Sequence, residues 1–235
     1  MAAAPAQAMA RRHAGRAVPL SAAVATVEEG VTAATYRPAR PVAVPADGTA
    51  HRATVAVERL QARRDYVTAP VRAAEAHLRA TVVNTSPHTL PPGQAAVFQG
   101  ADFVGSTHLE VWAPGEEVEL ALGVDDRVRV ERELVRRGAA KAVLGDTRRR
   151  DAEHKITVTN HTPGEIRVTV LDQLPVSRDD AIVVKERRLE PPPAQRTEMG
   201  LLTWVLDLGP GASREVHLGV RVELARGVDV AGWRE

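Results

Sequence analysis

Residues 214–224 read REVHLGVRVEL, and within them Val216, Leu218, Val220, Val222 and Leu224 alternate with Glu215, His217, Gly219, Arg221 and Glu223. Successive side chains of an extended strand point to opposite faces, so this period of two sets one face on a core and the other in water. The same alternation runs through EVELAL (117–122), DRVRVEREL (126–134), EIRVTVL (165–171) and LTWVLDL (202–208), each bounded by Gly, Pro or Asn. Those are the residues that turns select. Helical spacing is confined to PVRAAEAH (70–77), enough for a turn or two, and to 132–144, where Gly138 interrupts the helix formers. A parallel α/β sheet would need a long crossover helix after each strand. The sequence therefore predicts an all-β fold built from antiparallel, immunoglobulin-like sandwiches.

An internal repeat organises these strands. N-T-S-P-H-T-L at 84–90 and N-H-T-P-G-E-I at 160–166 share the pattern N-x-[ST]-P-x-x-[LI], and PGEEVELALGV (114–124) matches PGASREVHLGV (210–220). In each copy the Pro-Gly pair predicts a turn after which the next strand returns across the sheet. Asn84 to Pro114 spans about 30 residues and Asn160 to Pro210 about 50, so the second copy carries about 20 more. They are expected in KERRLEPPPAQRTEMG (185–200), where Pro191, Pro192 and Pro193 cannot donate to a ladder and demand a loop or a sheet edge. The expected layout is a disordered Ala-rich lead-in over 1–30, a first β lobe over 31–137 and a linker over 138–153. A second lobe over 154–226 and a tail over 227–235 complete it.

Composition removes whole classes of function. The 235 residues hold no cysteine, which excludes disulfide frameworks, Cys-ligated zinc, iron–sulfur clusters and thiol nucleophiles. With 31 Lys+Arg against 30 Asp+Glu, the net charge of +1 offers no field for a polyanion, so no nucleic-acid partner is expected. Seven aromatics, Trp112, Trp204, Trp233, Tyr36, Tyr66, Phe98 and Phe103, are too few for stacking platforms. No apolar run reaches the length of a membrane-spanning helix. The amino terminus places Arg11, Arg12 and Arg16 after its small residues, the reverse of a secretory signal, which predicts a cytoplasmic protein. Arg far outnumbers Lys, which occurs only at 141, 155 and 185, as a GC-rich bacterial genome would encode.

The segments GVDDRVRVERELV (123–135), LDQLPVSRDDAIVV (171–184) and LTWVLDLGPGASREVHLGVRV (202–222) resemble the carboxy-terminal domain of the bacterial mucoidy-inhibitor family, and AAVFQGADFVGSTHLEVWAPGEEVEL (95–120) fits the same domain. The resemblance covers about residues 31–226. It implies an association with the mucoid, exopolysaccharide-producing phenotype, and no reaction, cofactor or catalytic residue. Family members carry a coiled coil and a second domain upstream, and many are exported. The resemblance thus implies a protein partner, the upstream domain among the candidates, while this chain begins near the inter-domain linker and shows no signal.

Candidate chemistry is sparse. Eight histidines form no H-E-x-x-H or other close ligand pair, and His217 falls on the outward face of its strand. None of the five serines sits in G-x-S-x-G, and Ser106 with His108 forms a surface pair at most. G-P-G-A-S (209–213) lies between strands, where a hairpin turn is expected and a phosphate loop is not. Asn84-Thr85-Ser86 and Asn160-His161-Thr162 match the glycosylation pattern but are read as Asx turns. Arg148–Arg150, flanked by Asp146, Asp151 and Glu153, reads as a solvated linker. Two carboxylate clusters remain, Asp125, Asp126 and Arg127 at one strand entry, and Asp172, Gln173, Arg178 and Asp179 around the Pro175 turn. Convergent oxygens of this kind suit a divalent cation or polar ligand, and otherwise serve as turn caps and salt bridges. The expectation is a non-catalytic scaffold that binds a protein partner and holds no metal or cofactor. The alternatives are a metal-assisted hydrolase using the aspartates, or a carbohydrate-binding module using Trp112 and Trp233.

Overall fold

The computed structural model describes residues 26–29, 34–37, 41, 43–49, 51, 54–141 and 148–228. Most of the expected lead-in, the centre of the expected linker and residues 229–235, Trp233 included, lie outside them. The chain divides into two compact units at Arg59 and Leu60. In the first unit β1 (Thr26–Glu29) pairs antiparallel with β2 (Ala34–Arg37), Thr26 opposite Arg37, so a strand stands where the disordered lead-in was expected to end.

The second unit carries twelve strands, and no helix occurs among the described residues. They are β3 (Ala62–Thr68), β4 (His77–Val83), β5 (Gly93–Gln99), β6 (Asp102–Leu109), β7 (Glu117–Val124) and β8 (Val128–Lys141). After them come β9 (Arg148–Asn160), β10 (Ile166–Gln173), β11 (Ile182–Glu190), β12 (Gln195–Arg196), β13 (Leu201–Leu208) and β14 (Ser213–Leu224). The all-β expectation holds, and both helical pieces fail. Residues 70–72 form a turn held by Arg72 N–H on the Ala69 carbonyl, His77 already opens β4, and 132–141 is strand.

A six-stranded sheet in the order β12-β13-β10-β3-β4-β7 and a four-stranded sheet in the order β11-β14-β9-β8 share one core. Val216, Leu218, Val220, Val222 and Leu224 of β14 are all buried, as their alternation requires, with Ile156 and Val158 of β9 beside them. They meet Val168 and Val170 of β10 and Leu202, Trp204, Leu206 and Leu208 of β13 in one apolar cluster. Burial of these side chains is the main driving force for the fold.

The pairing departs from the two-lobe layout. β3 lies parallel to β10, with Tyr66 opposite Val168, so strands from both expected lobes share one sheet. The described parts of the expected linker, 138–141 and 148–153, continue two long paired strands, Lys141 opposite Arg148. A period of two states which side chains face a core and carries no information on which strand is the neighbour. The Pro-Gly turns are also not hairpins. β13 and β14, on either side of Pro210-Gly211, belong to different sheets, so that turn is a corner of the sandwich.

Each repeat builds the same corner. The Asn160 carbonyl accepts from Gly211 N–H and the Asn160 N–H donates to Ala212; Asn84 does the same with Gly115 and Glu116. Leu90 bridges Trp112 in the first copy as Ile166 pairs with Leu208 in the second. The extra residues of the second copy include β11 and β12, each at the edge of a sheet, in keeping with the proline-rich sequence.

Candidate functional site

The two asparagines are structural. Asn160 is fully buried, and its Nδ2 donates to the carbonyls of Gly164 (2.8 Å), Leu208 (3.0 Å) and Gly209 (3.0 Å), while its Oδ1 accepts from Thr162 N–H at 2.8 Å. Asn84 donates to His88 and Trp112 carbonyls and accepts from Ser86 N–H and Oγ. These are the expected Asx turns, with the amide nitrogens turned inward.

The first carboxylate cluster is an internal clamp. Arg127 Nε and Nη2 donate to Asp125 Oδ1 and Oδ2, both at 2.8 Å, and Tyr66 Oη donates to Oδ2 at 2.8 Å. The guanidinium, helped by the tyrosine hydroxyl, holds the Asp125 carboxyl down to about 2. Burial, together with the carboxylate it serves, pushes Tyr66 up to about 12. A carboxylate so engaged has little capacity left for a cation. Asp126 is exposed on the adjacent turn, and the two aspartates line a shallow cavity of about 270 Å³ with Glu75, Arg129 and Glu131.

The second cluster splits. Asp172 is buried and accepts from Arg132 Nε at 3.0 Å and from Gln173 N–H at 2.7 Å. His154 is buried near this pair, and burial, then the positive charge of Arg132, hold its pKa below the ordinary value. Gln173 turns outward and donates to the Met199 carbonyl at 3.0 Å. Arg178 and Asp179 instead line a separate cleft of about 540 Å³ together with Asp180, Glu186, Arg196 and Glu198. Asp179 caps its own turn, accepting from Ala181 N–H at 2.9 Å, and Arg196 pairs with Glu186 at 2.7 Å. Gly200 shapes this cleft: its φ is +77°, and a Cβ there would lie 2.4 Å from the Leu174 carbonyl oxygen. Asp125, Asp172 and Asp179 therefore share no common site.

Among the described residues no three His, Asp or Glu side chains gather as metal ligands, and no helix is long and apolar enough to cross a membrane. Trp112, which the carbohydrate-binding alternative would need exposed, is buried, its indole N–H donating to the Glu116 carbonyl, and Trp204 is buried with its N–H on Pro191. His217 lies on the face opposite the core, as its parity predicts, but it is largely covered there and stands 3.6 Å from Glu215. Ser106 and His108 are both exposed on β6. The residues that the sequence reading missed are Arg132 and His154. Each shares the strand parity of buried neighbours, Val128 and Val130 for one and Ile156 and Val158 for the other, and a charge at core parity signals a buried partner.

A family model described as a domain of unknown function, DUF4139, matches residues 3–226. The chain belongs to the DUF4139 family. A Caenorhabditis elegans protein named "Protein F37C4.5" is 30% identical over 201 residues, covering 80% of this chain and 36% of that protein. The DUF4139 chain thus spans little more than a third of the length of this curated relative. No solved structure matches it.

Proposed function

We propose that the chain is a non-catalytic β-sandwich interaction module of the mucoidy-inhibitor type, which acts in control of the cell envelope or its exopolysaccharide by binding a protein partner. The observation that carries this reading is the fate of the carboxylates. Asp125 and Asp172, one from each carboxylate cluster, are already engaged by Arg127 and Tyr66 and by Arg132. Large apolar side chains meanwhile stand uncovered, among them Phe98, Phe103, Val176, Met199 and Val205. Of these, Phe98 and Phe103 touch one another at the surface, and a contiguous exposed apolar pair favours partner contacts over a chemical site. A metal-assisted hydrolase is the second reading: Asp179, Asp180 and Glu198 line one cleft, although no three acids there gather as metal ligands among the described residues and Glu186 is paired with Arg196.

Complementation of a deletion in the native host separates the two. The combined variant Asp179→Asn, Asp180→Asn, Glu198→Gln, shown folded by circular dichroism, restores wild-type exopolysaccharide output if the module only binds. Loss of complementation by the folded variant favours the hydrolase. A deletion that leaves exopolysaccharide unchanged refutes the envelope assignment.

A further inference from the structure

We propose that the β5–β6 hairpin is a docking element whose Phe98 and Phe103 insert into an apolar pocket of a protein partner, a pocket bordered by cationic side chains. The inference rests on the protein-binding reading and names the surface that serves it.

Phe98 and Phe103 are the only phenylalanines of the chain, and neither is in the core: they are 57% and 60% exposed. They face each other across the two strands, ring centroids 5.5 Å apart in an edge-to-face arrangement. The turn that joins them is tight. Gln99 pairs with Asp102, so only Gly100 and Ala101 form the loop, and Gly100 takes φ +64° as the first residue of such a turn must. A register shift between Val97 and Phe98 sets Phe98 opposite Phe103. The pair is thus presented on a short, well-defined support, which lowers the entropy lost on binding.

The internal repeat shows what this hairpin lacks. Its counterpart in the second copy, β10 with β13, continues the same Asn corner but is flanked by β3 on one side and β12 on the other. Among the described residues, β5 and β6 pair only with each other. Gln94, Ala96, Ser106 and His108 on one face are exposed, while Ala95, Val97 and Thr107 on the other are half-buried, so the face at the open side of the hairpin is left uncovered.

Charge selects the kind of partner. The chain has 31 Lys+Arg, yet none lies between Pro91 and Trp112, where the charged residues are Asp102 at the tip and Glu110 near the base. A loop that enters a lipid surface typically flanks its aromatics with Lys and Arg, and an acidic tip is repelled by anionic headgroups. Aromatic anchors beside an acid instead complement an apolar pocket with a cationic rim.

The test uses the full chain in its native host with a benzoylphenylalanine photo-crosslinker in place of Phe98, or in place of the comparably exposed Val205 as control. The expected result is an adduct with a second, different polypeptide from position 98. That polypeptide, once identified and purified, binds the chain. Phe98→Ser with Phe103→Ser weakens binding on the order of 100-fold, and Asp102→Lys weakens it by about 10-fold at low salt, an effect that fades as salt is raised. Both variants keep the wild-type urea midpoint. Adducts from position 205 alone overturn the hairpin and leave the protein-binding reading standing; no polypeptide adduct from either position overturns both. An adduct solely with a second copy of this chain overturns the proposal, as does Phe-dependent flotation with phosphatidylglycerol–phosphatidylcholine vesicles.

Discussion

Replacing Asn160 by alanine removes a side chain that closes a corner of the sandwich from within. Its carboxamide has two N–H groups shared among the carbonyls of Gly164, Leu208 and Gly209, and one oxygen that satisfies Thr162 N–H. The two N–H groups and the oxygen, taken as three hydrogen-bonding groups at about 1 kcal/mol each, give a loss of about 3 kcal/mol, and the buried groups left unpaired push it toward about 5 kcal/mol. With a urea m-value of about 2 kcal/mol/M for a body of this size, the midpoint should fall by about 1.5–2.5 M. Tryptophan emission reports the transition, because Trp204 is buried in the core. Asn160→Asp should do worse than alanine, since it keeps the acceptor for Thr162 but aims a buried carboxylate oxygen at carbonyl oxygens. Asn84→Ala removes the equivalent clasp, and the two losses should add within about 0.5 kcal/mol because the corners share no partner. A loss below about 1 kcal/mol for Asn160→Ala, or a harmless Asn160→Asp, would refute the account of the corner.

Three further perturbations probe the interior. Arg132→Met leaves the Asp172 carboxylate buried without its cation and should cost about 3–5 kcal/mol in urea unfolding, most of it recovered by adding Asp172→Leu; no recovery would show that the pair is not the source. Gly200→Ala places a Cβ against the Leu174 carbonyl oxygen at a positive φ and should lose about 2 kcal/mol or more, with faster proteolysis of the 174–181 loop as the local readout. His154 is held below the ordinary histidine value of 6.5, so the unfolded chain takes up a proton that the native state excludes. Its contribution to stability is whole above that value and lost as pH falls below it. His154→Leu should flatten the dependence of the urea midpoint over about pH 5–7, and an unchanged slope would set the acid sensitivity elsewhere.

How far the sequence could be read depended on what each pattern encodes. REVHLGVRVEL named its own buried face because one-sided burial forces a period of two, and Asn160-His161-Thr162 named its turn because the side chain bonds its own backbone. Strand neighbours were not legible, so β3 beside β10 and the continuation of β8 into the supposed linker were missed. In that linker the charged run misled, since Arg149 and Asp151 belong to the solvent face of β9 and pair across to Glu223 and Arg221 of β14. The grouping of Asp125, Asp126 and Arg127 was readable from adjacency. The separation of Asp172 from Asp179 was not, because seven positions along the chain carry it from a core face to a loop.

The parallel pairing of Tyr66 with Val168 joins positions roughly 100 residues apart, and loop closure on that scale is what slows the folding of β proteins. The six-stranded sheet cannot be completed until β10 has been synthesised, and β13 and β12, which extend it further, come later still. A nascent chain that ends before residue 166 holds β3, β4 and β7 with an open edge. Until β10 is made, that edge stays unpaired and open to pairing with other chains.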